Sequence, residues 1–311
     1  MLVWLVWELA DSPDDLRNLL RAWLAGSWVL AILTLADLFF LTAAGADQTR
    51  FAAIGQDPND VARFLDFGFP IAALLLDGRE KRFGKMLAVG YFPIGFAGVL
   101  LTASRSGFLV ALVALAGCGV LVFQRYPKRL FAGLLGLPIL GGIVWGVAPR
   151  GTLERLGTIV EQLQGGDLNQ RVNIWSAGWH AFLHAPVLGQ GAGSFVRAAG
   201  LAPIDTAHNT VLAIVVEGGL CALALATAII LGAIHSVRKT QGAIRIGLIT
   251  LLAVWFVASL VGTVGENRTT WLLLGVIALS YRLTEENADA VDAAFPCPGL
   301  SPGFETVEWP E

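Results

Sequence analysis

The sequence predicts an all-α fold, a polytopic membrane bundle of about eight spans with a large loop outside the bilayer. Three observations lead there. Charged residues make up 14% of the chain and hydrophobic ones 55%, whereas a soluble domain carries about 25% charged residues. The mean hydropathy of +0.67 is spread along the chain, so a single anchor on a soluble domain does not account for it. The apolar residues also fall into runs near the roughly 17–25 residues that a bilayer-crossing helix needs. The net charge of −3 says little here, because in such a chain the distribution of charge matters more than its sum. No nucleic-acid partner is expected.

Residues 1–9, MLVWLVWEL, are apolar but short for a span and read as the end of a helix. They lack a basic n-region and a small-residue cleavage site, so no signal peptide is indicated. Residues 1–21 then form a partial N-terminal helix and a cytoplasmic segment. Spans are expected at 22–41, 61–77, 86–103, 107–123, 130–148, 209–234, 245–263 and 270–282, within a membrane domain covering 22–283. The longest polar connection is 149–208. The acidic, proline-containing tail, 284–311, reads as disordered. Cys118, Cys221 and Cys297 are far apart and form no CxxC, which argues against a disulfide framework or a zinc site.

Lysine and arginine in short loops set the orientation. The segments DGREKRFGK (77–85), QRYPKR (124–129) and HSVRKTQGAIR (235–245) are basic and fall on one side, the cytoplasmic one. All four lysines, Lys81, Lys85, Lys128 and Lys239, lie in them. The opposite side has no lysine but holds Arg50, Arg63, Arg105, Arg150, Arg155, Arg171, Arg197 and Arg268. A guanidinium grips phosphate or carboxylate in bidentate fashion and keeps its proton. Arginine without lysine on an outer face therefore points to ligand contacts, set against the plainer reading of helix-end cations paired with acids. Arg105 stands out, in a tight turn (TASRSG, 102–107) with no acid nearby in sequence.

The outer segment holds further candidates. In LNQRVNIWSAGWHAFLHAP (168–186), Val172, Trp175, Trp179 and Phe182 recur at helical spacing, giving one apolar face that suits a helix on the membrane surface or dipping into the domain. His180 and His184 are one turn apart, but HAFLH is not HExxH and no third ligand is evident, so no metal is expected. GQGAGSF (189–195) follows a helix rather than a strand and reads as a flexible turn or a close backbone approach to a ligand. His208 lies where the chain enters the membrane and suits a general base with an ordinary pKa near 6.5. Asn209 can orient a neighbour or cap the next helix. Glu217, two turns deeper, is either functional or part of a structural pair. Upstream, Asp57-Pro58-Asn59-Asp60 reads as a helix start, and Asp66 as a partner for Arg63.

Three of these stretches, LTASRSGFLVALVAL, QRVNIWSAGWHAFLHAPVLGQGAGSF and AHNTVLAIVVEGGLCALAL, in this order, resemble the O-antigen ligase/polymerase family of bacterial polysaccharide assembly. TRFAAIGQDPNDVARFLDFGFP resembles the stretch that family places upstream, and the likeness covers about 40–280. Members are typically longer on the N-terminal side, so the chain is expected to be a fragment or a short member. The resemblance implies a GT-C-like membrane glycosyltransferase without a cofactor, multi-pass in the bacterial cytoplasmic membrane, with its site facing the periplasm. Its donor would be an undecaprenyl diphosphate-linked glycan and its acceptor lipid A-core or a growing glycan. It implies catalytic roles for Arg105 and His208 and substrate contacts for Arg50 and Arg171, with Asn209 and Glu217 beside them. A transporter or flippase of the same lipid-linked glycan, and a non-catalytic scaffold, are the alternatives. A transporter would show internal repeats and broken helices in both halves, and no repeat is evident.

Overall fold

A computed structural model describes residues 1–43, 49–76, 80–125, 142, 146, 149–159, 161, 170–203 and 205–295. Among these the chain is all helical. In chain order the helices are α1 (Leu2–Leu9), α2 (Pro13–Ala43), α3 (Pro58–Leu75), α4 (Arg82–Leu101), α5 (Arg105–Arg125), α6 (Arg150–Gly157), α7 (Arg171–His184), α8 (Phe195–Ala198), α9 (Thr210–Lys239), α10 (Gly242–Val261) and α11 (Arg268–Ala294). By length and composition, 5 of them can cross a membrane: α2 over Pro13–Phe40, α4, α5 over Arg105–Gln124, α9 and α10.

The expected count of about eight is not confirmed among the described residues. The span expected at 130–148 lies almost wholly outside the described residues, as do parts of the expected loops 77–85, 124–129 and 149–208. The segment expected at 61–77 is helical, but α3 carries Asp60, Arg63 and Asp66 in its first half. Its apolar residues are spent on the core: Val61, Leu65, Phe69, Ile71 and Leu74 are fully buried. The segment 270–282 lies in α11, which runs on past Arg282, Glu285 and Glu286. Thr284–Ala294 is thus helical, with a break at Asn287, where the reading above expects a disordered tail. Arg17 and Arg282 anchor that extension. Arg17 donates to the Ala294 carbonyl and stacks 5.3 Å over Phe295, while Arg282 donates to the carbonyls of Trp7 and Ala10.

The second helix also starts earlier than the expected 22–41. Ser12 and Asp15 form a reciprocal cap: Ser12 N–H donates to Asp15 Oδ2 at 3.1 Å, and Asp15 N–H donates to Ser12 Oγ at 3.2 Å. Pro13 takes the first helical position, where its missing N–H costs nothing. A local cap outweighs hydropathy here, because helix nucleation responds to orphan N–H groups rather than to lipid.

The bundle is built around α3, which packs on α2, α4, α5 and α10. Tyr91 of α4 is fully buried against it and donates to the Leu65 carbonyl at 2.7 Å. Gly68 makes the room, since a Cβ there would enter the Tyr91 ring. Close approach through small residues is how helices associate in lipid, where no hydrophobic force drives one helix onto another. The polar N-terminal half of α3 is held at one end of this packed core, and the candidate site is built there.

Candidate active site

The site begins with the turn between α4 and α5. Thr102 Oγ1 donates to the Val99 carbonyl at 2.6 Å and accepts from Ser104 N–H at 3.2 Å. Ser104 Oγ caps α5, accepting from Gly107 N–H at 3.1 Å. Between them Ala103 is forced to φ 48°, the left-handed region. The turn sets Arg105 as the first residue of α5, half-buried, its Nε buried with no hydrogen-bond partner.

Two further arginines brace this turn. Arg50 donates from Nε to the Thr102 carbonyl at 3.1 Å and from its terminal nitrogen to Asn59 Oδ1 at 2.8 Å. Ser104 Oγ donates to the same Asn59 oxygen at 2.9 Å. Asn59 is positioned by the start of α3, where Asp57 caps the helix by accepting from the N–H of Asn59 and Asp60 and Pro58 follows the cap. The helix start expected at 57–60 is found. Arg155 of α6 donates to the Ala103 carbonyl at 3.3 Å.

His208 comes from the other side. Gln170, at φ 63°, directs Arg171 into the first turn of α7. One turn on, Trp175 donates to the Ala207 carbonyl at 3.0 Å, fixing the loop before His208 to the helix that carries Arg171. His208 itself is left-handed, at φ 47°, with the Thr206 hydroxyl 3.2 Å from Nδ1. Asn209 is the cap of α9: its Oδ1 accepts from Leu212 N–H at 2.9 Å and its Nδ2 donates to the Leu260 carbonyl at 3.3 Å. Among the described residues, Ala103, Gln170 and His208 are the non-glycine residues with positive φ. Each lies within two positions of, or is, a candidate site residue. Such clustering of strained backbone marks sites whose geometry the surrounding fold overdetermines.

Arg105 lies within electrostatic reach of Arg50, Arg155 and Arg171, Arg50 of Arg155, and Arg171 of Arg63. Burial, then the charges of Arg155 and Arg105, push the Arg50 guanidinium below its ordinary pKa, against an opposing pull from Asp57. Burial and then Arg105 lower both Arg155 and Arg171. His208 is held below its ordinary pKa by burial first, then by Arg171 and Arg63, with Asp57 and Asp205 opposing. Among the described residues, Arg63 is the member of this group with an ion pair. Arg50 and Arg171 are thus each coupled to Arg105, and His208 to Arg171, in a half-buried cationic cluster.

Other expectations are revised. Arg63 pairs with Asp60, not with Asp66, whose two carboxylate oxygens are buried without partners. A guanidinium near the mouth of the bundle finds the outward carboxylate three residues before it. The buried face of α7 is Ile174, Gly178, Ala181 and Phe182, while Val172 and Trp179 of the expected face point out, 50% and 53% exposed. The helix has to turn so that Trp175 reaches Ala207. In GQGAGSF, Gly189 makes a close approach to backbone, that of Glu217 and Gly218. Helix α9 is broken at Gly219 (φ 62°), and the segment 186–191 fills the break. Gln190 and Gly191 N–H donate to the Val216 and Glu217 carbonyls, both at 2.8 Å, and the Pro186 and Val187 carbonyls accept from Leu220 and Cys221 N–H at 2.8 and 3.2 Å.

Glu217 lies at this break, away from the guanidiniums. Its Oε1 accepts from Phe195 N–H at 3.4 Å, and it lines an apolar cleft of about 230 Å³ with Thr210, Glu266, Trp255 and Trp271. Sequence reasoning missed the working positions of Asn59, Arg63, Arg155 and Trp175. Nothing in the outer segment singles out Arg155 among its neighbouring arginines and acids, and Arg63 was assigned to the wrong carboxylate. Residues 90–227, from α4 to the middle of α9, match the family model described as O-antigen ligase. No curated protein matches the chain.

Proposed function

We propose that this chain, whose residues 90–227 match the O-antigen ligase family model, is a glycosyltransferase that moves a glycan from a polyprenyl diphosphate carrier, undecaprenyl diphosphate in a bacterial inner membrane, to an acceptor hydroxyl on lipid A-core or on a growing glycan. The observation that carries this reading is the electrostatic coupling of Arg50, Arg155 and Arg171 to Arg105, and of Arg171 to a half-buried His208 held below its ordinary pKa.

The chemistry follows from the charges. As the bond between the sugar C1 and the diphosphate oxygen breaks, the electron pair leaves with the diphosphate and negative charge builds there. Fixed guanidiniums in a water-poor pocket offset it without reorganising, which is where preorganised charge is worth most. They supply the counter-charge that a divalent ion supplies in other transferases, so transfer proceeds without a metal. The acceptor oxygen attacks C1 from the opposite face, its proton passes to the neutral imidazole of His208, and the configuration at C1 inverts. Arg105 has an uncommitted Nε for the diphosphate, while Arg50 and Arg155 hold the turn that presents it. Arg171 sits beside both. Asn209 positions His208 through the α9 cap. Glu217 faces the apolar cleft, whose walls suit a stretch of carrier or acceptor hydrocarbon chain.

A transporter reading would draw on the break in α9. Four backbone groups there, the Val216 and Glu217 carbonyls and the Leu220 and Cys221 N–H, are paired with residues 186–191 rather than free for an ion. A fluorescent lipid-linked glycan incubated with the reconstituted protein and an acceptor separates the readings. A transferase changes the glycan's covalent attachment, a transporter changes only its leaflet, and a scaffold does neither. His208→Ala is expected to slow transfer by about 10²–10⁴-fold, and Arg105→Ala by about 10²–10³-fold, at equal expression. Wild-type transfer in either variant would overturn the assignment.

A further inference from the structure

The end of the bundle opposite the arginine pocket holds a cavity that the reaction does not use. It measures about 480 Å³ and lies where the Arg21–Trp28 stretch of α2 and the first turns of α4 meet the end of α3. Glu80 lies at its base, with its side chain 5% exposed. Glu80 Oε1 accepts from Arg21 Nε at 2.8 Å and lies 2.7 Å from another Arg21 nitrogen, with an Arg17 nitrogen at 3.5 Å. Its other oxygen is turned against Gly84 on the first turn of α4, where a Cβ would meet it. The carboxylate therefore faces into the protein and shares its charge between two guanidiniums. What the cavity presents outward is cationic: Arg21, 43% exposed, and the exposed Lys81 at the start of α4.

The walls have the opposite character. Trp28 is pinned across the opening by donating from Nε1 to the Leu87 carbonyl at 3.1 Å. Phe83 is 69% exposed and Leu87 is 37% exposed beside it. A cationic rim over aromatic and aliphatic walls, between the ends of membrane helices, has the shape and charge of a lipid-binding pocket. Basic pockets of this kind between spans take anionic headgroups, and aromatic rings settle at headgroup depth.

We propose that this cavity binds one anionic glycerophospholipid, its phosphodiester against Lys81 and Arg21 and its first acyl carbons along Trp28, Phe83 and Leu87. The lipid would join the ends of α2 and α4 on the face away from the transfer site, and the assignment holds whatever that site does.

The test uses the purified full chain in neutral detergent, titrated with dioleoyl phosphatidylglycerol or dioleoyl phosphatidylcholine and read by native mass spectrometry. One phosphatidylglycerol should be retained in preference to phosphatidylcholine. Lys81→Gln should weaken that retention about fivefold, the factor that one cation near an anionic lipid carries. Leu87→Trp, which fills the apolar part and leaves every charge in place, should also lower it. Lys239→Gln, a basic residue at the far end of α9, should leave it unchanged. Equal retention of the two lipids, or an equal loss in Lys81→Gln and Lys239→Gln, would overturn the site. So would displacement by millimolar inorganic phosphate, which would mean that phosphate alone is read. A dimer dissociated by Phe83→Ala, with no lipid preference, would assign the surface to a second copy of the chain.

Discussion

At the scale of single residues, the site rests on one neutral imidazole beside fixed positive charge. Burial and the neighbouring Arg171 and Arg63 hold His208 below its ordinary pKa, while Asp57 and Asp205 pull the other way. The sign of the pH dependence follows. In the proposed reaction the neutral ring is the base, so transfer should fall only as pH drops below about 6.5, the ordinary histidine value. Folding has the same sign. Between the depressed value and about 6.5 the unfolded chain binds more protons at this position than the folded one, so His208 makes stability decline as pH falls through that window. Arg171→Gln removes one of the cations that depress the ring. The variant should be slower at every pH, because the proposed reaction also sets Arg171 against the diphosphate, and its acid limb should move to higher pH. A transfer-rate profile from pH 5 to 8 checks this. A slower variant with an unmoved limb would separate Arg171 from the histidine.

Among the elements, the broken α9 and the segment that fills it make the largest local demand on sequence. Gly189 (φ 70°) and Gly219 (φ 62°) are both left-handed, and a Cβ at either would enter the facing backbone, Glu217 for the first and Val187 for the second. Gly189→Ala and Gly219→Ala should each destabilise the protein by about 2 kcal/mol or more, as strain at a special backbone conformation adds to lost hydrogen bonds. Gly119→Ala in α5, with open space at its Cβ and an ordinary helical φ, should be neutral or mildly stabilising. Thermal unfolding of the three variants in detergent makes the comparison, and equal midpoints would mean that the plug carries no load. The spacing of these glycines was legible in the sequence, but their partner was not. A backbone approach to a helix break and one to a ligand leave the same glycine pattern, and only the distant Gly218-Gly219 pair separates them. The Asp57 cap and the Asn209 cap could be read because capping is local. The α7 face could not, because its rotation is set by one long-range bond from Trp175 to Ala207. Five of the expected spans were recoverable from apolar run length alone. The exception with the clearest cause is α3, whose charges serve the site while its apolar half serves the core.

Over the whole molecule, the described lysines collect at one end, whereas arginine lies at both, with Arg21 beside Lys81 and Arg105 at the far end of α4. Helix α4 starts beside Lys81 and ends at the turn that carries Arg105, and α9 starts beside His208 and ends at Lys239. Helices of 20 and 30 residues cover about 30 Å and about 45 Å at 1.5 Å per residue, enough to cross the hydrocarbon core. Lysine collected at one end follows the bias that retains basic residues in the cytoplasm. Arginine at the other end opposes that bias, as the proposed diphosphate ligand would require. This polarity predicts that the guanidinium pocket opens outside the cell. Cys221 and Cys297 are replaced by serine, and Cys118, which is buried, is left in place. A membrane-impermeant maleimide should then label Thr206→Cys in intact cells and Lys239→Cys only after permeabilisation. Both positions are exposed, so a failure to label reflects the barrier rather than burial. If Lys239→Cys labels first and Thr206→Cys only after permeabilisation, the arginines face the cytoplasm and the lysine bias has been misread. If both label from one side, α9 does not cross the bilayer, and the separation of a lipid-binding end from a transferring end fails with it.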